Sequence, residues 1–100
     1  MKKFLTLAAT AAMAAMALPV KAEPLWAWSF ARDYCDNLTA GLVYKEAFNV
    51  AFNETYRVWQ SEMDPAIDGG YAGKLIVNAY YKQCPALAKA AWDAHKALNP

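Results

Sequence analysis

Apolar residues recur at intervals of three and four along nearly the whole chain beyond residue 22, the spacing that aligns side chains on one stripe of an α-helix. From Pro24 to Ala40 the residues Ala27, Ala31, Tyr34, Cys35 and Leu38 fall on one face, and Ser29, Arg32, Asp33, Asp36 and Asn37 fall on the other. Pro24 is expected at the first helical position with Glu23 just ahead of it, an arrangement that suits a helix N-terminus. Gly41 then stands where a helix end needs a residue free to adopt positive φ. Residues Val43 to Ser61 carry the clearest period. Tyr44, Ala47, Phe48, Ala51, Phe52, Thr55, Val58 and Trp59 cover one broad arc, while Glu46, Asn49, Asn53, Arg57 and Gln60 lie opposite. This reads as the core helix of a domain, its aromatic ladder packed against the other helices.

Asp64-Pro65 and Gly69-Gly70 mark Glu62 to Gly70 as the one loop-like stretch, with Asp64 capping a short helical turn. Helical spacing resumes from Tyr71 to Gln83. There Gly73, Ile76, Val77, Tyr80 and Cys84 form the apolar side, and Gly73 would let a neighbour approach closely. Cys84-Pro85 breaks that segment, because a residue before proline avoids the α region and proline suits the first turn of a new helix. The last helix, Pro85 to about Leu98, is alanine-rich and would turn Leu87, Ala90, Ala91, Ala94 and Leu98 inward. The pattern therefore predicts an all-α fold, a small domain of four helices with short connections.

Residues 1–22 do not fit this domain. Lysines at positions 2 and 3, an apolar run from Phe4 to Leu18, and the small residues Val20 and Ala22 ahead of Glu23 make the pattern of a cleaved secretory signal. The run is shorter than the roughly 20 apolar residues that a membrane span requires. The expectation is a signal peptide over 1–22, a single helical domain over 23–100, no stable membrane span after cleavage, and a periplasmic or secreted location. Cleavage would remove Lys2, Lys3 and Lys21 and leave seven basic side chains against nine acids, moving the formal charge from +1 to −2. No basic patch then favours nucleic acid.

Export also gives a role to Cys35 and Cys84, the only two cysteines. An even count with no leftover thiol, outside the reducing cytosol, predicts one disulfide bond. Closing a loop of about 50 residues stabilises by roughly 4 kcal/mol on the chain-entropy account, a large share of what a domain this small can muster.

Chemistry beyond that bond is sparse. His95 is the only histidine, it has no recognisable nucleophile or orienting partner, and it reads as a surface side chain. Glu62, Asp64 and Asp68 alternate as calcium ligands do, but the twelve-residue loop pattern is missing and Pro65 interrupts it. No phosphate loop, serine elbow, metal-ligand spacing or haem-attachment motif occurs, so no catalytic residue, cofactor or metal is assigned and the chain is read as a non-enzyme.

The run Cys35-x5-Gly41-x5-Ala47-x3-Ala51, followed by Cys84-Pro85, resembles small secreted cyanobacterial proteins of unknown function, with Val43 standing where a capping serine would fit the pattern better. That resemblance implies an address and a fold, and no activity. The combination of a signal peptide, an all-helical domain and one long-range disulfide is also similar in architecture to the acid-stress periplasmic chaperones. With four tryptophans and six tyrosines in so short a chain, some large rings are expected at the surface, and Trp26 and Trp28 are the expected exposed anchors for a protein partner. The functional expectation is a small exported helical protein that binds a protein partner in the cell envelope or outside. An acid- or stress-responsive periplasmic chaperone-like protein and a toxin-neutralising, immunity-like protein are the alternatives.

Overall fold

Pro24 fixes where the first helix begins. Its backbone is extended (φ −68°, ψ 163°), so it precedes the helix rather than opening it, and its carbonyl accepts bonds from the N–H groups of Ala27 and Trp28. The computed structural model describes residues 23–100, and the expected signal peptide lies outside them. Four helices follow: α1 Leu25–Thr39, α2 Tyr44–Asp68, α3 Ala72–Gln83 and α4 Pro85–Leu98. No strand occurs among the described residues, and none of their helices is long and apolar enough to cross a membrane. The domain is all-α.

The core belongs to α1 rather than to α2. Trp26 and Phe30 join Ala27, Ala31, Tyr34, Cys35 and Leu38 in a buried stripe, and α1 touches each of the other three helices. Phe30 and Tyr34 are fully enclosed, each burial worth roughly 1.5–3 kcal/mol. The Phe30 ring meets Phe48 edge-on at 4.9 Å, and Tyr34 lies against Tyr80 at 4.3 Å. On α2 the fully buried residues are smaller or flexible, namely Ala47, Ala51, Thr55 and Met63. Phe48, Phe52 and Tyr56 stack along its flank half-buried, and Val58, expected inside, is exposed.

Two glycines end helices in the way their backbone freedom allows. Gly41, at φ +99°, sends its N–H to the Leu38 carbonyl while Leu42 reaches back to Asn37, the paired bonds of a Schellman cap. Gly70, at φ +70°, repeats the arrangement with Ile67, and Tyr71 with Ala66.

The stretch 62–68, expected as a loop, is instead the end of α2. Pro65 cannot donate to the Ser61 carbonyl and its ring crowds that turn, so the helix bends upstream, at Trp59 (φ −115°, ψ 18°), and then continues. Asp64 caps nothing. Its carboxylate accepts a 2.7 Å hydrogen bond from the Tyr56 hydroxyl across the bend. On α3 the buried residues are Ala72, Ile76, Ala79 and Tyr80, and the alanines provide the close approach expected of Gly73. A Cβ at Gly73 would meet no atom within 4 Å.

Cys84 carries the chain from α3 to α4 in a non-helical conformation (φ −143°, ψ 69°), with Pro85 opening α4 as its sequence predicts. Cys84 is bonded to Cys35, with Cα atoms 6.1 Å apart. The bond ties α1 to the α3–α4 junction. At the other end of α1, the Glu23 carboxylate is buried and accepts two 3.1 Å bonds from the Lys82 ammonium.

Candidate functional site

Ala88 is the only fully buried residue of α4. The strip that meets the rest of the fold runs through Cys84, Ala88, Ala91 and His95, successive positions on one face. That strip is rotated by roughly 75° from the expected inward face, with Ala91 common to both. The disulfide explains the difference, because it sets the face of α4 at Cys84, and an alanine-rich helix has too little contrast between its sides to override the choice. Leu87 and Leu98 consequently remain 41% and 78% exposed.

Those side chains form one wall of an open groove. Across from them stand Leu38 at the end of α1 and the Gly41–Tyr44 turn, where Val43 is 60% exposed. The cleft encloses about 760 Å³, within the range of specific binding sites. Its apolar wall on α4 spans from Leu87 to Leu98, roughly 16 Å of helix, or about three turns. The Schellman cap places this turn: Gly41 reverses the chain so that Val43 and Tyr44 begin α2 facing α4. Val43 makes no side-chain cap bond, so its isopropyl group stays in the open.

The polar groups at the rim are few, and none is acidic. Lys45, His95 and Asn99 line the cleft, and no carboxylate does, although the described residues carry more acids than bases. His95 is half-buried rather than free at the surface. Its ring lies 4.6 Å from Tyr44 and 5.5 Å from Trp92, and its Nδ1 is 3.4 Å from the Asn99 amide nitrogen. Asp93, two residues ahead of it, accepts a 2.7 Å bond from Lys89, and that bond holds its carboxyl below the usual carboxylate range. No serine, threonine or cysteine of the described residues lines the cleft with His95. Among the described residues no three His, Cys, Asp or Glu side chains converge as metal ligands would.

Tyr34, Tyr44, Tyr80 and Tyr81 cluster together, and Tyr44 also lines the cleft. Burial is the main cause that pushes the Tyr34 and Tyr80 phenols well above their ordinary range, and nearby tyrosines push further in the same direction. Tyr44 shifts upward for the same first reason. The Tyr34 hydroxyl is buried without a hydrogen-bond partner, as is that of Thr55.

The two tryptophans expected as exposed anchors are not at the surface in that sense. Trp26 is 4% exposed and Trp28 is half-buried against the core. The count of large rings does not say which of them are exposed, and α1 is the element around which the others pack. Cys35 and Cys84 stand as expected. The groove itself was not read from the sequence, yet two signals pointed to it: Leu87 and Leu98 at the ends of an alanine helix, and valine where a helix cap is usually polar. No family model matches this chain, and no curated protein or solved structure matches it either.

Proposed function

We propose that this is an exported binding protein whose groove between α4 and the α1–α2 turn receives an amphipathic helix of a protein partner in the cell envelope or outside. The observation that carries the reading is the unpartnered apolar wall of α4, with Leu87 and Leu98 facing Val43 across an open cleft. Helix-in-groove recognition uses anchors at intervals of three, four and seven, and a wall of about three turns accommodates such a set. The rim adds polarity. Lys45 and His95 at a cleft free of carboxylates favour a helix whose apolar stripe is flanked by acids. The disulfide between Cys35 and Cys84 and the leader pattern of residues 1–22 support an oxidising, extracytoplasmic setting.

Photo-crosslinking side chains introduced at Leu87 or Leu98 test this, with Asn49 and Lys74, exposed residues of α2 and α3 that do not line the cleft, as controls. One partner crosslinked from both groove positions and from neither control, and then reproduced with the purified partner, is the expected result. Equal crosslinking from the control positions would remove the groove as the docking surface.

A further inference from the structure

A second, smaller cavity, open to solvent on one side, lies between α2, α3 and α4, lined by Tyr44, Val77, Tyr80, Tyr81 and Trp92, with Trp92 and Val77 exposed. All of its lining residues but Val77 are aromatic. The rings are set at angles to one another: Trp92 meets Tyr44 edge-to-face at 5.3 Å and 67°, and Tyr81 is tilted against Tyr80 at 5.2 Å and 33°. Beneath them Tyr34 packs on Tyr80 with its hydroxyl unpartnered. No carboxylate lines the space. Its volume is about 220 Å³, or roughly seven times the share of one water in the liquid, too small for a drug-sized ligand and ample for a compact head group.

We propose that this cavity binds a quaternary ammonium group. The negative faces of tyrosine and tryptophan rings attract a cation, most strongly where water is displaced. The absence of a carboxylate decides which cation. A primary ammonium is a strongly hydrated, compact charge with three donors, and neutral phenol hydroxyls without a countercharge replace its water poorly. A quaternary nitrogen has no donor and spreads its charge over methyl groups, so aromatic walls satisfy it without an ion pair. The cation-accepting character of one wall is already visible, since the Lys96 ammonium stands 5.9 Å from the centroid of the Trp92 ring. Buried phenols that stay un-ionised keep the walls neutral, so the attraction comes from ring faces and hydroxyl dipoles.

The test titrates choline and tetramethylammonium into the oxidised protein, following the Trp92 indole and Tyr81 ring signals by NMR. The neutral comparison is 3,3-dimethylbutan-1-ol, which has the shape of choline and no charge. Both cations should bind saturably, and the neutral isostere about tenfold more weakly or worse. Trp92→Leu and Tyr81→Leu should each weaken choline binding about tenfold, with Trp92→Phe recovering part of the loss. Neither Trp92 nor Tyr81 is fully buried, so unchanged circular dichroism should accompany these losses. Lys96→Gln should bind choline at least as tightly, because it removes a like charge. Sedimentation with phosphatidylcholine but not phosphatidylglycerol vesicles would extend the site to a lipid head group, and its absence alongside choline binding would assign a free solute. Equal binding of the neutral isostere, weaker binding by Lys96→Gln, or no saturable shift with either cation would overturn the proposal.

Discussion

Replacing both cysteines, as Cys35→Ala with Cys84→Ala, removes the restraint that holds α4 to the domain. The bond closes a loop whose ends are 49 residues apart, which the chain-entropy account values at roughly 4 kcal/mol. For a domain this size, each kcal/mol moves the melting temperature by about 4–8 °C, so the expected fall is about 15–30 °C. The loss should not be uniform. Ala88 is the only fully buried residue of α4, whereas α1 buries seven, so α4 has little apolar burial of its own to keep it docked. Thermal and urea unfolding give the global loss, and amide hydrogen exchange resolved by residue gives its location. The α4 amides should exchange through a local opening in the double variant and lose their protection well before those of α1. The oxidised wild type should protect both helices, and the reduced wild type should behave as the double variant does. A loss under about 1 kcal/mol, or α4 amides as protected as α1 amides in the variant, would refute the reasoning that the bond sets and holds the position of α4.

Three further outcomes follow from particular residues. Gly41→Ala forces a Cβ into the left-handed region and should cost about 1–2 kcal/mol in urea unfolding, whereas Gly73→Ala, in open space on a helix, should stabilise by about 0.5–1 kcal/mol. Phe30→Ala empties the centre of the aromatic core and should cost about 3–5 kcal/mol, a large fraction of a typical small-domain stability; a loss below 1.5 kcal/mol would mean that α1 is not the core element. Tyr34 and Tyr80 have their phenol pKa values raised by burial, so their contribution is complete below about pH 10, where the unfolded chain keeps its phenols protonated, and declines as pH rises toward the folded values. Spectrophotometric titration should show two tyrosines ionising only together with alkaline unfolding, and ordinary titration of all six would contradict this.

What the sequence disclosed was local in origin. The α1 period, the reversal at Gly41, the break at Cys84-Pro85 and the pairing of two lone cysteines each depend on a few neighbouring residues or on redox setting, and each is present in the fold. The segment 62–68 misled because proline and paired glycines carry the same local signal whether a helix stops or bends, and the bend at Trp59 lets α2 continue through Pro65. The burial of Trp26 and the rotation of α4 were not legible for another reason. Both depend on which helix becomes central and where the disulfide fixes α4, and these are properties of the assembled domain. The groove and the aromatic cavity arise from that assembly, since each draws its lining from α4 and from helices distant in sequence.

The groove is the centre of the functional account, and titration calorimetry with the crosslinked partner, once purified, tests it most directly. Leu87→Asp with Leu98→Asp places two charges on the α4 wall at residues whose side chains are already exposed, so helix content and melting temperature should hold. Two apolar anchors lost from a helix-in-groove contact should weaken binding at least about a hundredfold. An unchanged Kd with the fold intact would contradict the claim that α4 presents the docking wall.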